Sequence, residues 1–178
     1  MTTAYRLVNG EGDRLGGLII DVFGKRIIVQ STAIWVEIRR SLIISALKSF
    51  FHEEGDEYVI LWRQAEARLK QDGFLNITST STTSTALSSD EVVDKANDAN
   101  SNDEEDISVL ENGVQFVVST ENSQKTGFFC DQRDNRRRIG ELSWNKTVLD
   151  LYCYSAGFSM YAARGGALRS INIQQYSI

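Results

Sequence analysis

The sequence predicts an α+β chain: a small α+β domain, an unstructured insert, and then the opening strand and helix of a parallel α/β unit. Two observations carry that expectation. Residues 5–76 order themselves as strand, strand, helix, strand, which describes a helix covering one face of a small sheet. Residues 147–164 run from an apolar strand through a turn containing glycine into a helix, the start of a Rossmann-type βαβ unit.

The elements follow from local pattern. Leu18-Ile19-Ile20-Asp21-Val22 and Arg26-Ile27-Ile28-Val29-Gln30 are β-branched runs joined through Phe23-Gly24-Lys25, and Gly24 supplies the positive φ of a tight hairpin. Ile34 to about Phe51 reads as one helix, with Trp35, Ile38, Leu42, Ala46 and Phe50 at spacings of three or four gathered on its buried face. Tyr58 to Trp62 is a short apolar strand. Residues 107–119 form a second hairpin around Asn112-Gly113, both able to take left-handed angles. Residues 147–151 are a strand, and about 157–164 a helix. Nothing in residues 168–178 predicts a second strand.

Composition sets the domain limits. Residues 1–77 make the first part of the central α+β domain and 107–123 the hairpin that completes it. Between them, residues 78–106 are rich in Ser and Thr, then acidic through Asp90, Glu91, Asp94, Asp98 and Asp103 to Asp106. Such a stretch buries too little apolar area to offset about 1–2 kcal/mol of backbone entropy per residue, so disorder is expected. Residues 124–178 are the truncated start of the Rossmann-like domain.

Bulk properties exclude several classes. At 42% hydrophobic and 24% charged, the 178 residues have a globular composition. No apolar run reaches the roughly 20 residues of a membrane helix, and the first residues have neither a secretory nor a transit character, so the default compartment is the cytoplasm. Cys130, Cys153 and the single His52 are too few for a disulfide framework or a metal set built from the preferred ligands. Net charge −5 argues against nonspecific nucleic-acid affinity over the whole surface but leaves room for a local basic patch.

Two segments have the residues for chemistry. In VLDLYCYSAGFS, residues 148–159, a buried strand ends in Asp150 and turns sharply into a helix start whose N–H groups lack helical partners. Ser155 is placed to cap that helix, and Gly157 leaves room for a ligand to approach the backbone. An ordinary strand-to-helix corner has the same spacing. In QKTGFFCDQRDNRRR, residues 124–138, Lys125, Arg133, Arg136, Arg137 and Arg138 lie beside Phe128 and Phe129. Cations interleaved with aromatics suit base stacking and phosphate neutralisation. A solvated basic helix with two core phenylalanines fits equally well.

Together these segments resemble the class I methyltransferases that make 5-methylcytosine in large-subunit ribosomal RNA. The likeness rests on YRLVNGEGDRLGGLIIDVFGKRIIVQ, on ENGVQFVVSTENSQKTGFFCDQRDNRRRIGEL with its signature loop at 124–133, and on VLDLYCYSAGFSMYAARGGA. It covers most of residues 5–76 and 107–167. The resemblance implies a three-part enzyme: a PUA RNA-binding domain, this central domain and a Rossmann catalytic domain that uses S-adenosylmethionine. On the matching positions it implies that Asp150, Tyr152, Tyr154, Ser155 and Gly157 line the methionine end of the cofactor, with Phe128, Gln132 and Arg133 closing it. Lys125, Arg136, Arg137 and Arg138 become the RNA contacts, and ribosomal RNA the partner. Ala156 departs from the family's usual glycine.

The family's chemistry needs more than this chain has. Cytosine C5 becomes nucleophilic only after a thiolate adds at C6. Cys130 stands where the family usually has an aliphatic residue, and Cys153 lies inside the cofactor motif, so both are expected to pack rather than react. The sequence contains no proline, which excludes the family's Asp-Pro-Pro motif. The expectation is therefore a methyltransferase fragment, inactive alone, with no catalytic residue assigned. Two alternatives stand beside it: a non-catalytic RNA- or partner-binding module, and a chain that does not fold by itself because the strand 148–151 is left without a neighbour.

Overall fold

The computed structural model describes residues 1–52, 58–74, 82–86, 106–119 and 127–174, with only the backbone of His52 and of 82–86. It divides into two compact units, 1–110 with 115–128, and 111–114 with 129–178. The boundary expected at 123/124 therefore falls after Phe128, and the turn of the second hairpin groups with the second unit.

In the first unit, strands β1 (Ala4–Asn9), β2 (Leu18–Phe23), β3 (Arg26–Ser31), β4 (Val59–Gln64) and β5 (Thr82–Ala86) form one sheet in that order. Pairing is antiparallel except for β3 against β4, whose parallel register (Ile28 beside Leu61) requires the crossover that helices α1 (Ile34–Ile38) and α2 (Arg40–His52) supply. The β2–β3 hairpin turns at Gly24, φ 57°, as the sequence predicts. Strand β5 is a correction: it lies inside the stretch expected to be unstructured, and it pairs antiparallel with β4. Threonine is a residue type enriched in strands, and three of the five residues of β5 are threonine. The remainder of 78–106, apart from Asp106, lies outside the described residues.

The helical crossover corrects the sequence reading twice. It is two helices, because Arg39 (φ −100°, ψ 14°) leaves the helical region between them. Its buried face is also not the one predicted. Val36, Leu47 and Phe51 are buried against Ile20, Val22, Ile27, Val29, Ile60 and Trp62, with Ile43 and Ile44 packed alongside. Ile38, Leu42 and Phe50 are at least 60% exposed instead. Val36, Ile43, Leu47 and Phe51 repeat at seven, four and four, a helical period as good as that of the predicted stripe.

The opposite sheet face buries Phe23, Ile28 and Leu61, and Leu69 of helix α3 (Glu66–Gln71) is wholly buried. Phe128 packs edge-on to Phe23, ring centroids 6.3 Å apart, and tilted on Phe116 at 5.0 Å. Asp21 is fully buried and accepts both Nε and Nη2 of Arg6. The second hairpin, β6 (Ile107–Glu111) and β7 (Val114–Val118), turns at Asn112 (φ 50°) and Gly113 (φ 76°), the paired left-handed angles expected of Asn-Gly.

The second unit holds helix α4 (Arg133–Leu142), strand β8 (Thr147–Leu151), helix α5 (Gly157–Arg164) and strand β9 (Arg169–Ile173). Strand β9 is the largest departure from the sequence reading. Residues 169–173, where no second strand was expected, pair in parallel with β8 from Thr147–Arg169 to Leu151–Ile173, so the βαβ unit is complete. The strand 148–151 is therefore not left without a neighbour. The two helices cross closely: a Cβ on Gly140 would stand 2.9 Å from the Tyr161 carbonyl oxygen, and one on Gly165 would overlap the Gly140 carbonyl.

Candidate cofactor site

Strand β8 delivers Asp150 to the top of the second unit. Asp150 is 7% exposed, and its carboxylate accepts the Ser159 amide at 3.2 Å and the Ser159 hydroxyl at 2.9 Å. That amide is among the first N–H groups of α5, which a helix cannot satisfy internally. Asp150 thus caps the helix from the neighbouring strand, placing negative charge where the helix dipole favours it. Ser155, expected to be the cap, is not. The residue preceding α5 is Ala156, no side chain caps from that position, and Ser155 lies one residue too early with its side chain in solvent. Ser170 donates its hydroxyl to Ser159, and the single Ser159 hydroxyl proton is shared between Asp150 and Asn172 Oδ1.

Between β8 and α5 the chain takes left-handed angles at Tyr152 (φ 57°), Tyr154 (φ 48°) and Ala156 (φ 53°). None of the three is glycine, and each such residue costs about 1–2 kcal/mol. Strain of this kind persists only where the surroundings over-determine it, and it concentrates at ligand sites. The holds are visible. Tyr152 N and Cys153 N both donate to the Ile173 carbonyl at the end of β9 (2.7 and 3.3 Å), Tyr154 N donates to Gln174 Oε1 (2.7 Å), and Ala156 N donates to the Cys153 carbonyl (2.7 Å). Gly157, the first residue of α5, is buried.

The second predicted segment reaches this turn through an aromatic contact. The rings of Phe129 and Tyr154 meet edge to face with centroids 5.5 Å apart. Burial pushes the Tyr154 phenol above its ordinary value. From Phe129 a short 3-10 turn, Cys130–Gln132, leads into α4; Cys130 is buried, and Gln132 Oε1 accepts the Asn135 side-chain amide at 3.0 Å. Gln132 and Arg133 are half-buried, while Tyr152 and Ser155 are exposed. Phe128 is placed elsewhere, its ring taken up by Phe23 and Phe116 in the first unit's core.

Of the basic residues, Arg136 is overturned as an RNA contact. Its guanidinium is 5% exposed and forks onto the wholly buried Glu111 carboxylate, Nε to Oε1 at 2.8 Å and Nη2 to Oε2 at 2.6 Å. Nη2 also donates to the Phe129 carbonyl at 2.9 Å. Three successive arginines on a helix cannot share one face, and here the first turns inward while Arg137 and Arg138 stay exposed beside Glu141. Lys125 lies outside the described residues. Sequence reasoning also missed Ser159, Gln174 and Glu111, which acquire their roles only through partners 9, 20 and 25 residues away.

Residues 27–176 match the family described as S-adenosylmethionine-dependent methyltransferase. The chain belongs to that family. It is 32% identical over 171 residues to ribosomal RNA large subunit methyltransferase I of Aeromonas salmonicida, covering 96% of this chain and 38% of that protein. It is 31% identical over 180 residues to a ribosomal RNA large subunit methyltransferase of Deinococcus radiodurans, covering 99% and 39%. Among solved structures it is similar to SMU.776, described as a methyltransferase and complexed with SAH (TM-score 0.70, 27% identity, 97% of this chain and 38% of that one). A protein described as a SAM-dependent methyltransferase from Streptococcus mutans gives a TM-score of 0.69 at 28% identity, over 97% and 39% of the two chains. The chain thus spans about two-fifths of the length of these methyltransferases, and its mixed α/β architecture is theirs over that span. No helix among the described residues is long and apolar enough to cross a membrane.

The donor set of the turn fits a cofactor of this kind. The left-handed turn at the carboxyl ends of two parallel strands sits where α/β sheets bind nucleotides. Gly157 is buried at the helix start, and Phe129 and Tyr154 meet beside the same turn.

Proposed function

We propose that this chain is the part of an S-adenosylmethionine-dependent methyltransferase acting on large-subunit ribosomal RNA that begins the cofactor site. The observation that carries the reading is the Phe129–Tyr154 contact, which joins residues 129–138 to the strained turn after Asp150 within one folded unit. Bound there, S-adenosylmethionine supplies an electrophilic methyl group on a sulfonium. Tyr152, Tyr154, Ser155 and Gly157 line the methionine end, and Gln132 and Arg133 close it from the loop. Asp150 acts by fixing α5 through Ser159. Phe128 holds the base of the loop in the first unit's core rather than lining the ligand.

The target is cytosine C5, and the transfer needs a thiolate at C6 that this chain does not contribute. Cys130 is buried as a packing residue, and Cys153 sits in the turn itself. With no proline anywhere, the chain has no Asp-Pro-Pro segment to position the base. It binds cofactor and leaves methyl transfer to residues it lacks. RNA is met by Arg137, Arg138 and Lys125. The second reading, a non-catalytic RNA-binding module, is favoured by the exposure of Arg137 and Arg138.

Titration calorimetry with S-adenosylhomocysteine, alongside transfer of labelled methyl to ribosomal RNA, tests the proposal. Saturable one-to-one binding without incorporation is expected. Absence of binding, with salt-dependent retention of RNA on a filter, would establish the second reading instead. Incorporation of label would overturn the inactivity.

A further inference from the structure

The turn at 152–156 alternates left-handed residues with ordinary ones, so its N–H groups converge on one side. The end of β9 already meets that side. The Ile173 carbonyl accepts two of the N–H groups, and Gln174 Oε1 accepts the Tyr154 N–H at 2.7 Å. The Ile173 hold is main chain and is fixed by the β8–β9 register. The Gln174 hold is a side chain's, reaching across twenty residues to the middle of the three left-handed positions. Because an N–H needs an acceptor, the amide is oriented with its carbonyl toward Tyr154 and its NH2 away from it. The Cys153 sulfur lies 3.9 Å from the same oxygen.

We propose that Gln174 is the positioning residue of this site: through the Tyr154 N–H it holds the turn in its strained, ligand-ready shape. The inference rests on the cofactor reading for its functional consequence but not for its structural one. Tyr154 is the residue whose ring meets Phe129, so a backbone released at Tyr154 also loosens the joint between the two segments of the site. Leu149 and Leu151 on β8 are exposed and bear on neither segment.

Two readouts test it on the full chain. Amide exchange followed by NMR reads the Tyr154 N–H directly. Gln174→Ala should speed exchange at Tyr154 about tenfold, the worth of one positioned hydrogen bond, and leave the amides of α5 unchanged. Gln174→Glu, which keeps an acceptor oxygen, should restore slow exchange. Calorimetry with S-adenosylhomocysteine should show affinity falling about five- to tenfold in Gln174→Ala and returning in Gln174→Glu. Unchanged Tyr154 exchange in Gln174→Ala overturns the proposal. So does faster exchange with unaltered affinity, because the turn's shape would then not matter to the site. If the unmodified chain binds no S-adenosylhomocysteine, the cofactor reading fails, and the exchange measurement alone decides whether Gln174 holds the turn.

Discussion

Replacing Arg136 by methionine should cost the second unit about 3–5 kcal/mol, because it leaves the Glu111 carboxylate buried and uncompensated. The geometry sets that figure at the high end of single substitutions. Both charges are desolvated, the fork is bidentate at 2.8 and 2.6 Å, and the same guanidinium also satisfies the Phe129 carbonyl. A loss of that size is a large share of the 5–15 kcal/mol that stabilises an ordinary domain. The double variant Arg136→Met, Glu111→Leu removes both charges and should recover most of the loss. It should fall short of the parent by about 1–2 kcal/mol, since the Phe129 carbonyl still lacks its donor. Arg137→Met, on the exposed side of the same helix, should change stability by less than about 0.5 kcal/mol. Urea unfolding followed by circular dichroism gives all four numbers. A single Arg136→Met variant within about 1 kcal/mol of the parent would refute the reasoning, as would a double variant less stable than Arg136→Met.

Two further outcomes follow from the turn and its surroundings. Ala156→Gly should stabilise the chain by about 0.5–1 kcal/mol in the same urea assay, because φ 53° strains alanine and not glycine; a destabilised variant would show that the methyl group packs usefully. The phenols of Tyr154 and Tyr161 are both raised, Tyr154 by burial and Tyr161 by burial first and the nearby Glu111 charge second. A raised phenol favours the neutral form in the folded state, so its stabilisation is complete below the ordinary tyrosine value of 10.0 and is lost as pH climbs through the folded value. Urea midpoints should therefore hold steady up to about pH 9 and fall above about pH 10, and Tyr161→Phe should flatten part of that fall.

Much of the local structure was written in single residues. Gly24 and Asn112-Gly113 specify their turns because few other residues accept those angles. The run 148–157 specifies a strand-turn-helix corner, and its similarity to a cofactor motif extended the reading from shape to chemistry. Periodicity was less decisive. Helices α1 and α2 have apolar residues on two stripes, and only the sheet beneath selects Val36, Leu47 and Phe51 over Ile38, Leu42 and Phe50. Strand β9 alternates polar and apolar residues only over Ser170-Ile171-Asn172-Ile173, too short a run to specify a strand alone; it forms where β8 offers an unpaired edge, with Ser159 accepting from Ser170 and donating to Asn172.

The sequence by itself determined the hairpin turns at Gly24 and Asn112-Gly113, the strands and helices around 18–30, 58–62, 107–119 and 147–164, and the two segments that make the candidate site, since each depends on angles or residue types within a few positions. Tertiary structure alone decided which arginine is buried, what caps α5, and what holds the strained turn. Those roles belong to Glu111, Asp150 and Gln174 acting on Arg136, Ser159 and Tyr154. A charged or amide side chain is soluble or structural according to the partner folding brings within about 3 Å, and no local pattern encodes that distance.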